Sequence, residues 1–508
     1  LSDPVPIRCP PPVTISTICV QLDWLRTPDR RLVVIGAGPA GLTLAYLLAK
    51  EGIAVTVLES SDTVGGISQT ARHNGYRFDI GGHRFFTKIA PVQALWDELL
   101  GDDFIDVPRL SRILYGGKYF DYPLKPLNAL AGLGLVESVR VVASYCRSWL
   151  FRNGAEETFE QWVVNRFGRR LYEIFFKTYT EKVWGIPCTE IRAEWAAQRI
   201  KGLSLARAIL SASPLQHRYS GITSLIDTFR YPRLGPGQMW EACRDRIVEA
   251  GGHILFSHCV ERVELTDGVA TAVVASHAGR SVRVRADHVI SSTDLRSLVH
   301  AMGDQVPERA RDAAAGLRYR DFLVVALILD GVDLFPDNWI YVHTPGVKVG
   351  RVQNFNNWSA EMVPDPGRTC LGMEYFCFEG DGLWAASDAE LVALAAQELA
   401  VLGLAPQAPI VDSTVVRMRK AYPVYDASYR RNLDDVRDTL DQIPNLHTIG
   451  RNGMHKYNNQ DHSMYTAMLT FDNMLGRADH DVWAVNTDLE YHEEQRYVGI
   501  ATPGAHGA

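Results

Sequence analysis

The segment "RRLVVIGAGPAGLTLAYLLAKEGIAVTVLES", residues 30–60, narrows what this chain can fold into more than any other stretch. "LVVIG" is a short β-branched run of the kind that forms a buried parallel strand. "LTLAYLLAKEG" reads as a helix that stops at Gly52, and "AVTVLE" as a second strand that ends on Glu59. Between the first strand and the helix stand Gly36, Gly38 and Gly41, in the pattern G-x-G-x-x-G. Gly36 permits a tight turn, Gly38 lets the backbone approach a pyrophosphate, and Gly41 lets helix and strand pack closely. Glu59 is placed to accept the ribose hydroxyls. Pro39 and Ala40, which open the helix, and Ser60, which follows the acid, complete a dinucleotide-binding set on an α/β Rossmann-like unit.

The next residues distinguish NAD from FAD. "SSDTVGGISQTARHNGYRFDIGGHRFF" places Gly65-Gly66 shortly after the acid, and Gly81-Gly82 closes a small hairpin-like segment. This extended pattern resembles the flavin amine oxidase and glutathione-reductase-like superfamily, in which the loop covers the pyrophosphate of FAD. Two later segments fit the same plan. "HILFSHCVERVEL", with Val260, resembles the strand that passes the adenine, and "RADHVISSTDL" the strand that returns to the cofactor. The FAD-binding domain is therefore expected to be discontinuous: 30–95, 225–300 and 441–480.

Composition sets further limits. With 508 residues, 46% of them hydrophobic, the chain can bury a large core. A formal net charge of −7 argues against broad nucleic-acid binding. The eight cysteines are scattered with no C-x-x-C pair, so no metal site is expected, and they read as small buried hydrophobes of a reducing, cytoplasmic compartment. "TISTICV" is too short for a secretory signal and lacks a basic flank. The longest apolar stretch is broken by Glu137 and Arg140, so no membrane span is expected. Residues 1–29 are Pro-rich and are expected to be a poorly ordered extension.

Residues 96–224 read as a mainly helical substrate domain. "FEQWVVNRFGRRLYEIFFKTYTEKVWG" has helical spacing, and most of its aromatics belong to a core. Tyr179, Lys182, Trp184 and Arg199 fit a core less well, since large polar-tipped side chains offer a flat face and a donor to a sugar or nucleotide. Residues 301–440 alternate as strands do, in "FLVVALILDG", "NWIYVH", "VGRVQNFNNWS" and "TCLGMEYFCF". They predict an antiparallel sheet domain that roofs the flavin. Arg417 and Arg419 in "VVRMRKAYPVYD" read as solvated or structural. Residues 481–508 form a tail.

Five motifs in order, "FFKTYTEKVWGIPCTEI", "WAAQRI", "GRVQNFNNWS", "YPVYD" and "GRNGMHKYNNQDHS", resemble the UDP-galactopyranose mutase family over roughly residues 30–480. That family interconverts pyranose and furanose forms of a nucleotide sugar with no net redox change. The resemblance implies an isomerase in which N5 of reduced FAD is the nucleophile at the anomeric carbon. It implies that Arg199 and Arg351 clamp the diphosphate, as guanidinium forks do better than lysines. Tyr422 and Tyr457 would donate to the same phosphates, with Asn459 beside them. Tyr122 would stand on the uridine side, Lys125 occupies a place where some members have Gln, and Trp184 would line the sugar pocket with Tyr179. His83 matches the histidine beside the flavin, next to Gly82, with Phe86 near it.

"GRNGMHKYNNQDHSMYTAM", residues 450–468, crowds polar groups ahead of a helix expected over 462–474. The resemblance implies that Arg451, Asp461 and Ser463 approach the flavin. The helix N-terminus would stabilise the anionic reduced ring. An external reductant is implied for the flavin, and a homodimer is compatible with the family. The rival reading is an FAD-dependent oxidoreductase, of amine oxidase or desaturase type, that passes hydride from substrate to flavin. The phosphate clamp separates the two.

Overall fold

The computed structural model describes residues 30–152, 154, 156–193, 223–225, 227–486 and 494–496. They fall into two compact units. The first comprises 30–66, 240–314 and 435–486; the second comprises 67–239 and 315–434, with the described residues beyond 486. Arg199 and residues 1–29 lie outside the described residues.

The first unit is built on a parallel five-stranded sheet, ordered His253–Leu255, Val55–Leu58, Leu32–Ile35, His288–Ser291, Leu446–Thr448. The central strand Leu32–Ile35 is fully buried, which its unbroken apolar run requires. Helix Pro39–Lys50 follows it and helix Gln460–Met474 follows the last strand. A three-stranded antiparallel sheet of Cys259–Thr266, Val269–His277 and Arg280–Arg285 completes the unit. "HILFSHCVERVEL" thus supplies two short strands, one in each sheet.

The second unit centres on a seven-stranded sheet. Its order is Ile410–Pro423, Tyr319–Asp330, Arg368–Cys377, Arg351–Asn354, Trp339–Val342, Ser111–Tyr115, Lys118–Asp121. All its neighbours are antiparallel except Trp339–Val342 with Ser111–Tyr115. Leu323, Val325, Leu327 and Leu329 pack one face with helix Asp388–Leu402; Phe322, Val324, Ala326 and Ile328 pack the other. Both faces are covered, so Tyr319–Asp330 reads as a continuous apolar run.

A run of helices in this unit extends from Pro126 to Trp184, and two features break its pattern. Gly168 at φ +81° interrupts the stretch 159–185, where an added Cβ would come within 2.8 Å of Tyr145 Cα. Farther along, Glu173–Lys177 form a π-helical turn. Ahead of them, 104–121 contribute three strands rather than helix, turned at Gly116-Gly117 with φ of +57° and +74°. Among the described residues no helix is long and apolar enough to cross a membrane.

Candidate functional site

In the first unit the candidate residues gather at the C-terminal ends of the parallel strands, where α/β sheets bind ligands. An added Cβ at Gly41 would lie 2.0 Å from the Gly36 carbonyl oxygen, so only glycine lets helix Pro39–Lys50 approach its strand. Gly36 has φ +97°, and a Cβ there would meet Ser292 Oγ at 2.5 Å. At Gly38 the equivalent position opens onto free space. Gly66, at φ +54°, comes so close that its Cβ would sit 3.4 Å from Gly38 Cα, and the Gly65 amide donates to the Ala37 carbonyl at 2.8 Å.

No side chain caps the N-terminus of this helix. Pro39 has no amide hydrogen to offer, so the free donors are those of Ala40 and Gly41. Glu59 is buried, and its oxygens accept from the amides of Ala37 (2.7 Å) and Ser61 (2.8 Å). Exposed Ser60 donates to the same carboxylate at 3.2 Å. Oε1 already accepts from Ser60 Oγ, the Ser61 amide and Ser61 Oγ, while Oε2, accepting from the Ala37 amide, retains lone-pair capacity for a hydroxyl. The glycine cradle, the uncapped helix and the held acid fit FAD. Val260 is half-buried at a bulge of the antiparallel sheet and pairs with Ala275.

The 450–459 segment is a built loop. A Cβ on Gly450 would come 2.8 Å from Ala40 Cβ, and the Gly450 amide donates to Thr466 Oγ1 at 2.9 Å. The guanidinium of Arg451 lies 4.2 Å from the Tyr457 ring centroid, and its Nη1 donates to the Asn458 carbonyl at 3.1 Å. Asn459 is the N-cap of helix Gln460–Met474, and His462 answers by accepting from the Asn459 amide. The helix therefore begins two residues before the expected 462. Asp461 and Ser463 are buried in its first turn. Lys456 is occupied structurally: it donates to the carbonyls of Trp483 (2.8 Å) and Val485, and burial lowers its pKa to about 8.

In the second unit strand register makes the site. Tyr341, Arg351 and Glu374 are direct neighbours across three strands, so their side chains share one face. Arg351 pairs with the fully buried Glu374, and its Nη2 donates to Tyr422 Oη at 3.3 Å. Burial opposes the charge of Arg351, but the Glu374 carboxylate prevails and raises its pKa well above the ordinary value. Gln353 Nε2 donates to the other Glu374 oxygen at 2.9 Å.

Aromatic rings flank this group. Tyr122 lies 4.4 Å from Tyr341, and Tyr179 lies 5.6 Å from Tyr341 and stacks on His343 at 4.7 Å. Burial lowers the His343 pKa to about 3, so that ring is neutral, and burial raises that of Tyr179, which stays a phenol. Trp184 is buried, edge-on to Tyr422 at 6.4 Å and stacked on Tyr425 at 6.2 Å. His83 joins through the Gly81 turn: a Cβ on Gly81 would lie 3.7 Å from His83 Nε2 and 3.9 Å from Arg351 Nη2. His83 Nε2 is 3.0 Å from the Ile80 carbonyl, which makes it the protonated nitrogen. At Gly82 a Cβ would press on Gln353 and Trp358 at 3.2–3.4 Å.

The register thus gathers Arg351, Tyr422, Tyr179, Tyr122, Trp184 and His83. Lys125 stands apart: it is exposed and pairs with Asp121 at 3.2 Å. Lys182 is structural, its ammonium donating to the carbonyls of Val342, Thr344 and Val349 at 3.0–3.3 Å. Arg417 pairs with Asp388 and Arg419 with Glu379, as structural arginines do.

Sequence reasoning passed over Glu374, Tyr341 and His343. Glu374 had a signal, a lone charge inside "TCLGMEYFCF". Asp79 had one too. It is buried in strand Tyr76–Asp79, accepts from Tyr231 Oη at 2.7 Å, and burial raises its pKa well above the carboxylate range.

Comparison with known proteins places these features in context. The family model described as flavin containing amine oxidoreductase matches residues 39–458. A probable UDP-galactopyranose mutase of Klebsiella pneumoniae is 25% identical over 228 residues, 43% of this chain and 53% of that protein. The chain thus spans about half the length of that relative. A coproporphyrinogen III oxidase of Mycobacterium leprae is 25% identical over 441 residues, 81% of this chain and 92% of that one. The crystal structure of a reduced UDP-galactopyranose mutase superposes with a TM-score of 0.79 at 22% identity, covering 91% of this chain and 98% of the other. The α/β fold with its parallel and antiparallel sheets is therefore the fold of this flavoenzyme group.

Proposed function

Since the chain belongs to the flavin-containing amine oxidoreductase family and its cofactor is FAD, we propose that it is a nucleotide-sugar mutase, interconverting pyranose and furanose forms of a nucleoside-diphosphate sugar. The observation that carries this reading is Arg351. A guanidinium, 17% exposed, is held in a fixed fork by Glu374 and lies against the Tyr422 hydroxyl within a wall of tyrosines. Such a group recognises a phosphate by paired, charge-assisted hydrogen bonds. An amine gives it no comparable partner, whereas the carboxylates of a porphyrinogen do, so binding of a nucleoside diphosphate is the property that separates the two readings.

Each residue has a task in this account. Glu374 orients Arg351 but also cancels its charge. A diphosphate therefore needs a second cation, and Arg199 of "WAAQRI" is proposed to supply it. Tyr422, already within reach of Arg351, donates its hydroxyl to a phosphate oxygen. Tyr179, kept a phenol by burial, and Tyr341 offer flat faces and O–H donors to a sugar or uridine ring. His83 has its Nε2–H committed to the Ile80 carbonyl and so serves as a positioned imidazole. Reduced FAD, when bound by the Gly36–Gly41 loop, Gly65-Gly66 and Glu59, would supply a nucleophilic nitrogen for the anomeric carbon. The residues around Arg351 must bind the diphosphate before and after the sugar rearranges.

Titration calorimetry with UDP tests the clamp. Tyr422→Phe should weaken binding by about 5- to 10-fold, the worth of one hydrogen bond. Unchanged affinity would remove the basis for a mutase and favour the oxidoreductase reading, which the long match to coproporphyrinogen III oxidase keeps in play.

A further inference from the structure

Helix Leu135–Leu150 is turned inside out. A surface helix ordinarily buries its apolar stripe and shows its polar side. Here the small and polar side is pinned to the protein. Ser138 Oγ lies within hydrogen-bond reach of the carbonyls of Leu130 (2.7 Å) and Gly134 (2.8 Å), either of which can take its one hydrogen. Ser144 Oγ accepts from the Arg170 amide at 3.0 Å, and Glu137 pairs with both Arg140 and Arg170. Close approach at Gly168 locks the helix at Tyr145. Its rotation is fixed, and it presents Leu135, Val139, Val142, Cys146 and Trp149 outward at helical spacing. Val136, Leu150 and Phe151 widen the stripe, with Leu135 82%, Leu150 65% and Phe151 77% exposed. Of the sixteen exposed large hydrophobics among the described residues, eight lie between Leu127 and Phe151. The concentration marks a surface built to be covered.

What covers it is indicated by charge and shape. Residues 126–152 carry Arg140, Arg147 and Arg152 against Glu137 alone, a net of +2 (three minus one) in a chain of net −7. Arg147 makes no ion pair among the described residues. The stripe lies along one rigid helix, with an aromatic end, "WLF", next to two arginines. Apolar and aromatic residues rimmed by arginine describe a helix lying in the plane of a bilayer surface, its apolar face at the headgroup–acyl boundary. We propose that this helix docks the protein peripherally on an anionic phospholipid surface.

The experiment is flotation of the full-length, FAD-loaded protein with phosphatidylcholine vesicles containing about one third phosphatidylglycerol. The protein should float with these vesicles, less with phosphatidylcholine alone, and less as salt rises. Arg147→Gln should lower partitioning about 5-fold. Trp149→Glu and Val139→Glu should abolish it while retaining flavin absorbance, since both side chains already point outward. Wild-type protein left in solution beside anionic vesicles overturns the proposal. So does Trp149→Glu floating as well as wild type. A wild-type oligomer in the absence of lipid that Val139→Glu splits would also overturn it, because a second copy would then be the cover.

Discussion

Arg351 and Glu374 stand opposite each other in neighbouring strands, and each is the other's main compensation. Replacing Arg351 with Ala leaves a fully buried carboxylate whose remaining partner is the neutral Gln353 amide. Stranding one half of a buried pair costs about 3–5 kcal/mol. For a unit of this size that is a fall of roughly 5–15 °C in the unfolding midpoint. The double variant Arg351→Met with Glu374→Gln removes both charges, keeps similar volume and preserves an acceptor for Gln353. It should recover most of the stability, because replacing a buried pair by neutral groups is often close to neutral. Nucleotide binding should not recover. Loss of charge-assisted bonds worth about 1.5–3 kcal/mol weakens UDP roughly 10- to 150-fold in both variants. Thermal unfolding followed by circular dichroism, paired with calorimetry, reads the two effects separately. If the single variant melts with wild type, or the double variant melts as low as the single, the carboxylate is not what is stranded and the reasoning fails.

Three further expectations follow from particular positions. Gly41→Ala places a Cβ 2.0 Å from the Gly36 carbonyl oxygen and should yield protein that elutes without its yellow colour, by absorbance near the flavin band. Arg199→Ala should weaken UDP binding at least as much as Arg351→Lys, because Glu374 already offsets Arg351, with the flavin spectrum unchanged in both. Burial holds the His447 pKa down at about 4 and that of His343 at about 3. Since these lie below the unfolded value, their neutral forms stabilise the fold fully above about pH 6.5, and that contribution is lost as pH falls toward 4 and 3. Replacing His447 with Gln should flatten the decline of melting temperature between pH 6.5 and 4.

The dinucleotide unit was readable because its constraints are local. Gly36, Gly38 and Gly41 act within one turn, and Glu59 lies one strand away. Elsewhere local pattern was not enough. The helical spacing of 159–185 was genuine, but Gly168 breaks it where the chain crosses close to Tyr145. Strands Ser111–Tyr115 and Lys118–Asp121 lay within a stretch read as mainly helical, although Gly116-Gly117 between two short β-rich runs was a hairpin signal. Helix Gln460–Met474 starts early because His462 does what Glu or Gln does in a capping box. In the candidate site, Arg351 and Tyr422 came from motifs. Glu374 did not, because its role depends on which residue of the neighbouring strand it faces, and pairing register is a property of the folded sheet. Lys182 misled for the same reason: the three carbonyls it satisfies come from 342–349, more than 150 residues away in sequence.

The proposed reaction rearranges a nucleotide sugar without net redox change. The direct test is to incubate the dithionite-reduced protein anaerobically with UDP-sugars, resolve furanose from pyranose by chromatography, and titrate the reducing equivalents left at the end. Many furanose products per flavin are expected, with the reducing equivalents intact, and no product from oxidised protein. Turnover by the oxidised protein, with one hydrogen peroxide released per substrate consumed and no furanose, would contradict that expectation.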